Sequence, residues 1–341
     1  MKVSLITGPE GYVQGWGTIQ VTEKIQQALS ESEIDSEIIF VSNMSELQDR
    51  LNSSKPDLAW SSLYFLSDNS EYIGSKDNKW VVDLLEDFSI PYIGGSKNTL
   101  ERLLTKSACQ ERLQSFGIPI PEFYLIKKNE PIPLMTNFPY LIKPDNEANS
   151  RGISDSSVVY NSKDLKEKVF EIQELFHQPA FVEEYLPGKE ITISAIGNGE
   201  KIILPLEINI KEEYKENHSL LTHDVKKGGL KNGKVALFKP SKEEIAITSN
   251  IASRTCDALE IQDWTRMDTR KDKNGNFKVF DVNGIPGLSN IGSYQSIAFY
   301  TYYPTISKKE VYDFMINTIV GKGLSRHGLP IPNRMRKKML L

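Results

Sequence analysis

The chain has 341 residues, with 41 Lys+Arg against 45 Asp+Glu and a formal net charge of −4. At 39% apolar and 25% charged residues it has the make-up of a packed globular protein long enough for two or three domains, which excludes wholesale disorder. The mild acidity leaves no electrostatic footprint for nucleic acid, two cysteines (Cys109, Cys256) make neither a disulfide framework nor a thiolate metal site, and no apolar stretch approaches the roughly 20 residues that span a bilayer.

The opening MKVSLITGPEG meets Gly and Glu too early for a secretory signal. A cytoplasmic protein with no nucleic-acid or membrane partner is therefore expected. Lys2 to Thr7 reads as a short apolar strand, followed by the glycine-rich GPEGYVQGWG. Ile19 to Leu29 then places Val21, Ile25 and Leu29 at helical spacing. Strand, glycine turn and helix open a doubly wound α/β domain. Glu37–Val41 and Pro56–Leu63 predict further strands. A helix around Trp80–Phe88 and a strand at Ile90–Ile93 close this first domain, residues 1–95.

The next helix starts near Asn98, carries Leu100, Leu103, Leu104 and Ala108 on one face, and runs through Leu113 to GIPIP, where a glycine and two prolines end it. The texture then changes to short β-branched and aromatic runs: FYLI, YLIKP, SVVY, AFVEEYL, EITISAIG, KIILPLEINI, VALF and FKVFDV. Helices are expected among them at Ser162–Phe176 and Ser241–Leu259. This is an α+β region, divided into residues 96–182 and 183–325, with a basic tail at 326–341. Lys211–Lys234 is charged and poor in core formers, and reads as a mobile loop.

The sharpest motif is DWTRMDTRKDKNGNFKVFDVNGIPGLSN. Asn274-Gly275 between alternating runs predicts a hairpin. Arg266 and Asp268 share one face of its first strand, as Asp281 and Asn283 do on the second. Pairing those faces brings two carboxylates, an amide and a guanidinium to one spot, and hard oxygens of this kind suit Mg²⁺ with substrate phosphates. Solvated strand residues are the alternative, set against the poor strand propensity of Asp and Asn. DKNGN also resembles half of a calcium loop, but its closing glutamate is missing and a turn is the preferred reading. In FPYLIKPDNEANSRG, Lys143 ends a strand before a polar loop, which fits a phosphate site. In FVEEYLPGKE the strand breaks at Pro187-Gly188, so that backbone groups of Glu184 to Leu186 could face a planar base and Glu190 a ribose hydroxyl. Taken singly, these last two read first as ordinary strand ends.

Together and in this order the motifs resemble the ATP-grasp superfamily, and within it the D-alanine–D-alanine ligase branch. PYIGGSKNTLERLLTKSACQERLQSFGIPIPEF is similar to that branch's helix and Gly-Ile-Pro turn. YLIKPDNEANSRGIS is similar to its lysine and phosphate loop, FVEEYLPGKEITISAIGN to its hinge strand, and RMDTRKDKNGNFKVFDVNGIPGLS to its metal hairpin. The resemblance implies an N-terminal doubly wound α/β domain (pre-ATP-grasp) followed by two α+β subdomains enclosing ATP. It also implies ADP-forming ligation of a small-molecule carboxylate to an amine through an acyl phosphate, with two Mg²⁺ ions or Mn²⁺ in their place. By resemblance, Lys106 and Lys143 hold the ATP phosphates; Glu183, Glu184, Tyr185 and Leu186 bind adenine; Glu190 takes the ribose. Asp268, Asp281 and Asn283 ligate the metal, with Asp281 where the family usually has Glu. Arg266 steadies the intermediates, Lys226 (with Lys227 adjoining) is the γ-phosphate lysine of a closing loop, Gly287 gives a backbone N–H, and Glu10 anchors the first amino acid. Family members are often dimers, so a homodimer is the assembly the resemblance admits.

The departures are equally specific. The family's His-Gly and Gly-Glu-Asp-Gly elements are absent from WSSLYFLSDNSEYIG, and the phosphate loop carries Asn149, Arg151 and a single glycine, Gly152. Lys227 stands in place of a family tyrosine. NIGSYQSIAF lacks the serine-leucine that receives the second carboxylate, with Ser293 one residue later. The nucleotide half reads as kept and the D-alanine half as rewritten. An acceptor other than D-alanine is expected, another amino acid or an intermediate of a specialised metabolite. The rivals are D-alanine–D-alanine ligation proper and a non-catalytic ATP-binding protein. A nicotinamide dehydrogenase is set aside because GPEGYVQGWG gives no G-x-G-x-x-G. Cys109, mid-helix, reads as packing, and His177, His218, His223 and His327 show no metal spacing.

Overall fold

The computed structural model describes residues 1–66, 79–147, 151–210 and 234–340. The apolar run after Lys2 forms β1 (Lys2–Thr7), and the glycine-rich stretch turns through α1 (Gly11–Gln14) into α2 (Ile19–Ser30), which buries Ile25, Ala28 and Leu29. Then follow β2 (Asp35–Phe40), α3 (Met44–Ser53), β3 (Leu58–Ser61), the short pair β4 (Phe65–Leu66) and β5 (Lys79–Trp80), α4 (Val81–Asp87) and β6 (Tyr92–Ile93). A parallel sheet runs in the order β2-β1-β3-β6. Its order reverses at β1, so the ends of β1 and β3 frame the crevice where open α/β sheets bind ligands. Ser62 there donates its hydroxyl to Thr7 Oγ1 at 2.9 Å.

One helix was expected from Asn98 to Leu113. The structure has two, α5 (Lys97–Leu104) and α6 (Lys106–Ser115), broken at an extended Thr105 (φ −91°, ψ 101°). The cause is non-local. Lys106 N–H donates to the Asp145 carbonyl at 2.9 Å, and the Asp145 carboxylate accepts from the Ser107 N–H and hydroxyl, both at 2.8 Å. These contacts satisfy the first-turn donors of a new helix.

Two antiparallel sheets follow. The first contains β7 (Phe123–Ile126), β8 (Tyr140–Pro144), β9 (Val158–Val159) and β10 (Ala180–Glu184), ordered β7-β10-β8-β9 and covered by α7 (Ser162–Phe176). The second contains β11 (Glu190–Ile196), β12 (Ile202–Ile210), β13 (Val235–Phe238), β14 (Trp264–Lys271) and β15 (Phe277–Asn283), ordered β13-β12-β11-β14-β15, with α8 (Lys242–Ala258) on one face. Along β11 the faces separate cleanly. Ile191, Ile193 and Ala195 pack with Cys109 of α6 and Cys256 of α8, while Glu190, Thr192 and Ser194 stand opposite Arg270, Asp268 and Arg266 of β14. Both thiols are pushed up to about 12 by burial, in keeping with packing.

The chain ends in α9 (Tyr294–Tyr302), α10 (Lys308–Arg326) and α11 (Asn333–Arg336). Met315, Ile316, Ile319 and Val320 of α10 share one core with Val3, Leu5, Ile25 and Trp60 of the parallel sheet and its helix. The fully buried Asp263 joins the parts: its carboxylate accepts from Arg326 Nε and Nη2 (3.1 and 2.8 Å), Asn198 Nδ2 (2.9 Å) and Gly94 N–H (2.9 Å).

Candidate active site

The β14–β15 hairpin turns at Asp272–Asn276. Gly275 takes φ +85° and donates to the Asp272 carbonyl at 3.0 Å, while Asp272 Oδ1 accepts from the N–H groups of Asn274 and Asn276, both at 2.9 Å. DKNGN is thus a side-chain-braced turn, and its carboxylate also lies 3.6 Å from Lys278. The register pairs Arg266 with Asn283 and Asp268 with Asp281, then shifts so that Thr269 meets Val279. Phe280 is the extra residue of this bulge. Val279 and Val282, three apart, consequently pack in one apolar cluster, and Phe280 reaches the cleft beside Asp281.

At the base of the hairpin Arg266 Nη2 lies 3.0 Å from Asp268 Oδ2, and Thr192 donates to Asp268 Oδ1 at 2.6 Å. Asn283 Nδ2 donates to Asp281 Oδ2 at 3.2 Å. Burial opposes the charge of Arg266, but Asp268, Asp281 and the Tyr294 ring, 5.3 Å from the guanidinium carbon, outweigh it and raise its pKa. Arg266 Nε is buried and has no acceptor among the described residues.

This face opens into a cleft between the two antiparallel sheets. Lys106, Lys143, Glu183, Glu184, Tyr185, Leu186, Glu190, Asp268, Asp281 and Asn283 all line it. Arg266 adjoins it through Asp268. Glu10 and Gly287 are not on its wall. Glu10 is half-buried at the N-cap of α1, and Gly287 sits by Trp16 and Ser293, where Leu288 N–H donates to the Trp16 carbonyl at 2.9 Å. Lys226, Lys227, His218, His223 and Asn149 lie outside the described residues.

Lys143 and Glu183 form an ion pair at 2.7 Å with side chains 4% and 2% exposed. Burial raises the Glu183 pKa against the pull of Lys143, and its Oε2 has no hydrogen-bond partner among the described residues. The Lys143 ammonium also faces the Phe181 and Phe280 rings at 5.6 and 5.7 Å. Lys106 Nζ donates to the Glu147 carbonyl, and burial, then the Lys143 charge, lowers its pKa. Glu147, its own pKa raised by burial, accepts from Gln178 at 2.8 Å and lies 3.6 Å from Arg151. In the hinge, the amides of Glu184 and Tyr185 are used by the carbonyls of Glu122 (2.8 Å) and Pro139 (3.2 Å). Among the described residues the Leu186 amide has no partner.

Tyr64, Glu147, Arg151, Arg270 and Phe280 line the cleft without having been singled out as site residues. Arg270 was available as the i+4 member of the Arg266–Asp268 face. Phe280 was not, because strict alternation puts it on the far face. Among the described residues no three His, Cys, Asp or Glu converge. The hairpin supplies two acids and an amide oxygen, a donor set that fits Mg²⁺ completed by phosphate oxygens and water. With Lys143 and Lys106 at one end, apolar Leu141, Ile153 and Val282 along the wall and a polar hinge, the cleft suits a polyphosphate joined to a flat ring.

Residues 113–301, more than half of the chain, match the family model described as D-ala D-ala ligase C-terminus. An uncharacterized protein of Sinorhizobium fredii is 29% identical over 217 residues, 62% of each chain. A D-alanine–D-alanine ligase of Actinobacillus succinogenes is 24% identical over 215 residues, 61% of this chain and 66% of the relative. The chain thus spans less than two thirds of the length of either. In three dimensions, the D-alanine–D-alanine ligase of Bacillus anthracis complexed with ATP superposes with a TM-score of 0.71 at 19% identity, over 96% of this chain and 99% of that one. A D-Ala:D-Ser ligase of Enterococcus faecalis gives 0.66 at 17% identity, over 94% and 99%. The fold is that of these ligases, the ATP-grasp fold expected from the motifs.

Proposed function

Because the chain belongs to the D-ala D-ala ligase C-terminus family, we propose that it is an ATP-dependent carboxylate–amine ligase releasing ADP, with its reaction at the mouth of the cleft between the antiparallel sheets. The observation that carries this reading is the placement of buried Lys143 and half-buried Lys106 in the same cleft as Asp268, Asp281 and Asn283.

The residues supply what such a reaction needs. A substrate carboxylate attacking the γ-phosphorus of ATP sets anion against anion, and the acyl phosphate formed is then open to an amine. Lys143 and Lys106 place fixed charges in a poorly solvated pocket, where they neutralise phosphate far better than in water. The hinge accepts a base against Leu141 and Leu186, with Leu186 N–H as its donor. Mg²⁺ held by Asp268, Asp281 and Asn283 would neutralise further phosphate charge and orient the chain of phosphates. Arg266 is pre-oriented by Asp268 and Tyr294, and its Nε, without an acceptor among the described residues, supports a role toward an oxyanion at the end of the cleft. No nucleophilic side chain is needed, consistent with both thiols being buried.

The substrate half supports an acceptor other than D-alanine. Where the family carries His-Gly, this chain has Ser61-Ser62-Leu63-Tyr64. The buried Tyr64 hydroxyl accepts from Ile285 N–H at 3.0 Å and bridges the parallel sheet to the end of the hairpin. D-alanine–D-alanine ligation is the second reading, favoured by what the relatives' names say of those proteins. Mass spectrometry of products from an amino-acid panel with Mg²⁺ and ATP decides. A mixed amide or dipeptide with stoichiometric ADP supports the proposal, D-alanyl-D-alanine supports the second reading, and no ADP release with any pair contradicts both.

A further inference from the structure

Arg270 is buried on β14, third on the face that carries Arg266 and Asp268, and no role in the ligation has been given to it. The sheet fixes it from both sides. On β11 its register partner is Glu190, whose Oε2 lies 3.8 Å from Arg270 Nη1. Its Nε donates to the Gly188 carbonyl at 2.9 Å, at the turn that ends the hinge, and its guanidinium carbon lies 5.7 Å from the centre of the Tyr185 ring. On β15 its register partner is Lys278, which holds Glu184 at 2.6 Å. Two cations paired across the hairpin therefore grip the two ends of the hinge. Arg270 grips the end that carries Glu190, and both residues form the wall between the main cleft and a second hollow bordered by Lys189 and Glu207.

We propose that Arg270 is a positioning residue of the nucleotide site: it fixes the Glu190 carboxylate and the Pro187-Gly188 turn so that the cleft selects a nucleotide with intact ribose hydroxyls. The inference rests on the ATP-binding reading and extends it to sugar selectivity. A guanidinium suits the task because its rigid fork presents fixed donors to the turn carbonyl and the carboxylate at once, where an ammonium is a freely rotating point charge. A hydroxyl bound to a buried carboxylate is a charge-assisted bond, and its loss weakens binding about tenfold or more.

The test is calorimetric titration with the Mg²⁺ complexes of ATP, 2′-deoxy-ATP and 3′-deoxy-ATP, on folded protein checked by circular dichroism. The wild type is expected to bind ATP about tenfold tighter than at least one deoxy analogue. Arg270→Met narrows that ratio to below about threefold by weakening ATP, and Arg270→Lys gives an intermediate ratio. Lys278→Met, which frees Glu184 and Asp272 but leaves the Arg270 contacts to Gly188 and Glu190 in place, keeps the wild-type ratio. A wild-type ratio in Arg270→Met, or in Arg270→Lys if the methionine variant does not fold, overturns the role of Arg270 and leaves nucleotide binding intact. Equal wild-type affinity for all three nucleotides also overturns it. No wild-type uptake of any of them removes the ATP reading beneath it.

Discussion

Replacing Lys143 by Met leaves Glu183 as an uncompensated charge in the interior. At 2.7 Å the attraction of the pair is roughly 6 kcal/mol at an effective dielectric constant of about 20. Desolvating both ions costs several kcal/mol each, so the intact pair is close to break-even in stability. Removing only the cation has no such balance, and Lys143→Met should cost about 3–5 kcal/mol. Glu183→Gln should cost less, about 1–3 kcal/mol, because Lys143 keeps the faces of Phe181 and Phe280. The double variant should recover part of the sum, with a coupling of at least about 2 kcal/mol. The pH dependence has a definite sign. The folded-state pKa of Glu183 is raised by burial, so its contribution is full below the ordinary value of 4.5 and is lost as pH rises through the folded value. The deficit of Lys143→Met should therefore shrink as the pH is lowered from 7 toward the raised folded value, where Glu183 can take up a proton. Urea denaturation of the four proteins without nucleotide measures all of this. Additive single variants, or a Lys143→Met loss below about 1 kcal/mol, would refute the buried-pair reasoning.

Asp268→Asn and Asp281→Asn should each lower Mg²⁺-dependent ADP release by about 100-fold or more while the fold is kept, and unchanged turnover in both removes the metal assignment. Cys109 and Cys256 should resist an alkylating reagent in the native state and react once denatured, as read by mass spectrometry; rapid native labelling would contradict their burial. Arg326→Met strips the buried Asp263 of its cation and should lower stability by about 3–5 kcal/mol in chemical denaturation, whereas a loss under about 1 kcal/mol would show that the junction does not depend on it. For Glu244, burial works to raise the pKa, but Lys271 (2.9 Å) and Lys189 hold it down at about 2. A depressed acid stabilises above its unfolded value of 4.5 and loses that contribution as pH falls toward 2. Glu244→Gln should accordingly flatten the acid limb of the stability curve, and an identical limb would count against the Lys–Glu–Lys cluster.

The legible parts of the molecule are those written in local spacing. The Asn274-Gly275 turn and the i, i+2 pairs Arg266/Asp268 and Asp281/Asn283 were enough to place four polar side chains on facing positions, since a hairpin converts sequence alternation directly into register. The parallel first sheet and the boundaries of α7 and α8 were equally readable from period and caps. What escaped depends on distant residues. The break at Thr105 is set by Asp145, some 40 positions away. The bulge at Phe280 shifts the phase of the apolar alternation, and nothing in KVFDVN announces it. Helix α10 is buried on nearly every side, with Asp313, Asn317 and Thr318 inside along with Met315, Ile319, Gly321 and Gly323, so its apolar spacing marks no single core face. The substrate end is the least legible part, because Glu10 precedes α1 while Gly287 and Ser293 share the loop before α9, and only tertiary packing decides how the two segments approach.

The central claim is that the cleft takes up a magnesium-bound triphosphate between Lys143 and the acidic hairpin. Isothermal titration of ATP into the protein, with and without Mg²⁺ and repeated on Asp281→Asn, tests it most directly. Saturable binding that strengthens with Mg²⁺ in the wild type, and loses that metal dependence in the variant, is the predicted result. Absence of ATP binding in the presence of Mg²⁺, or a metal effect that survives in Asp281→Asn, would contradict it.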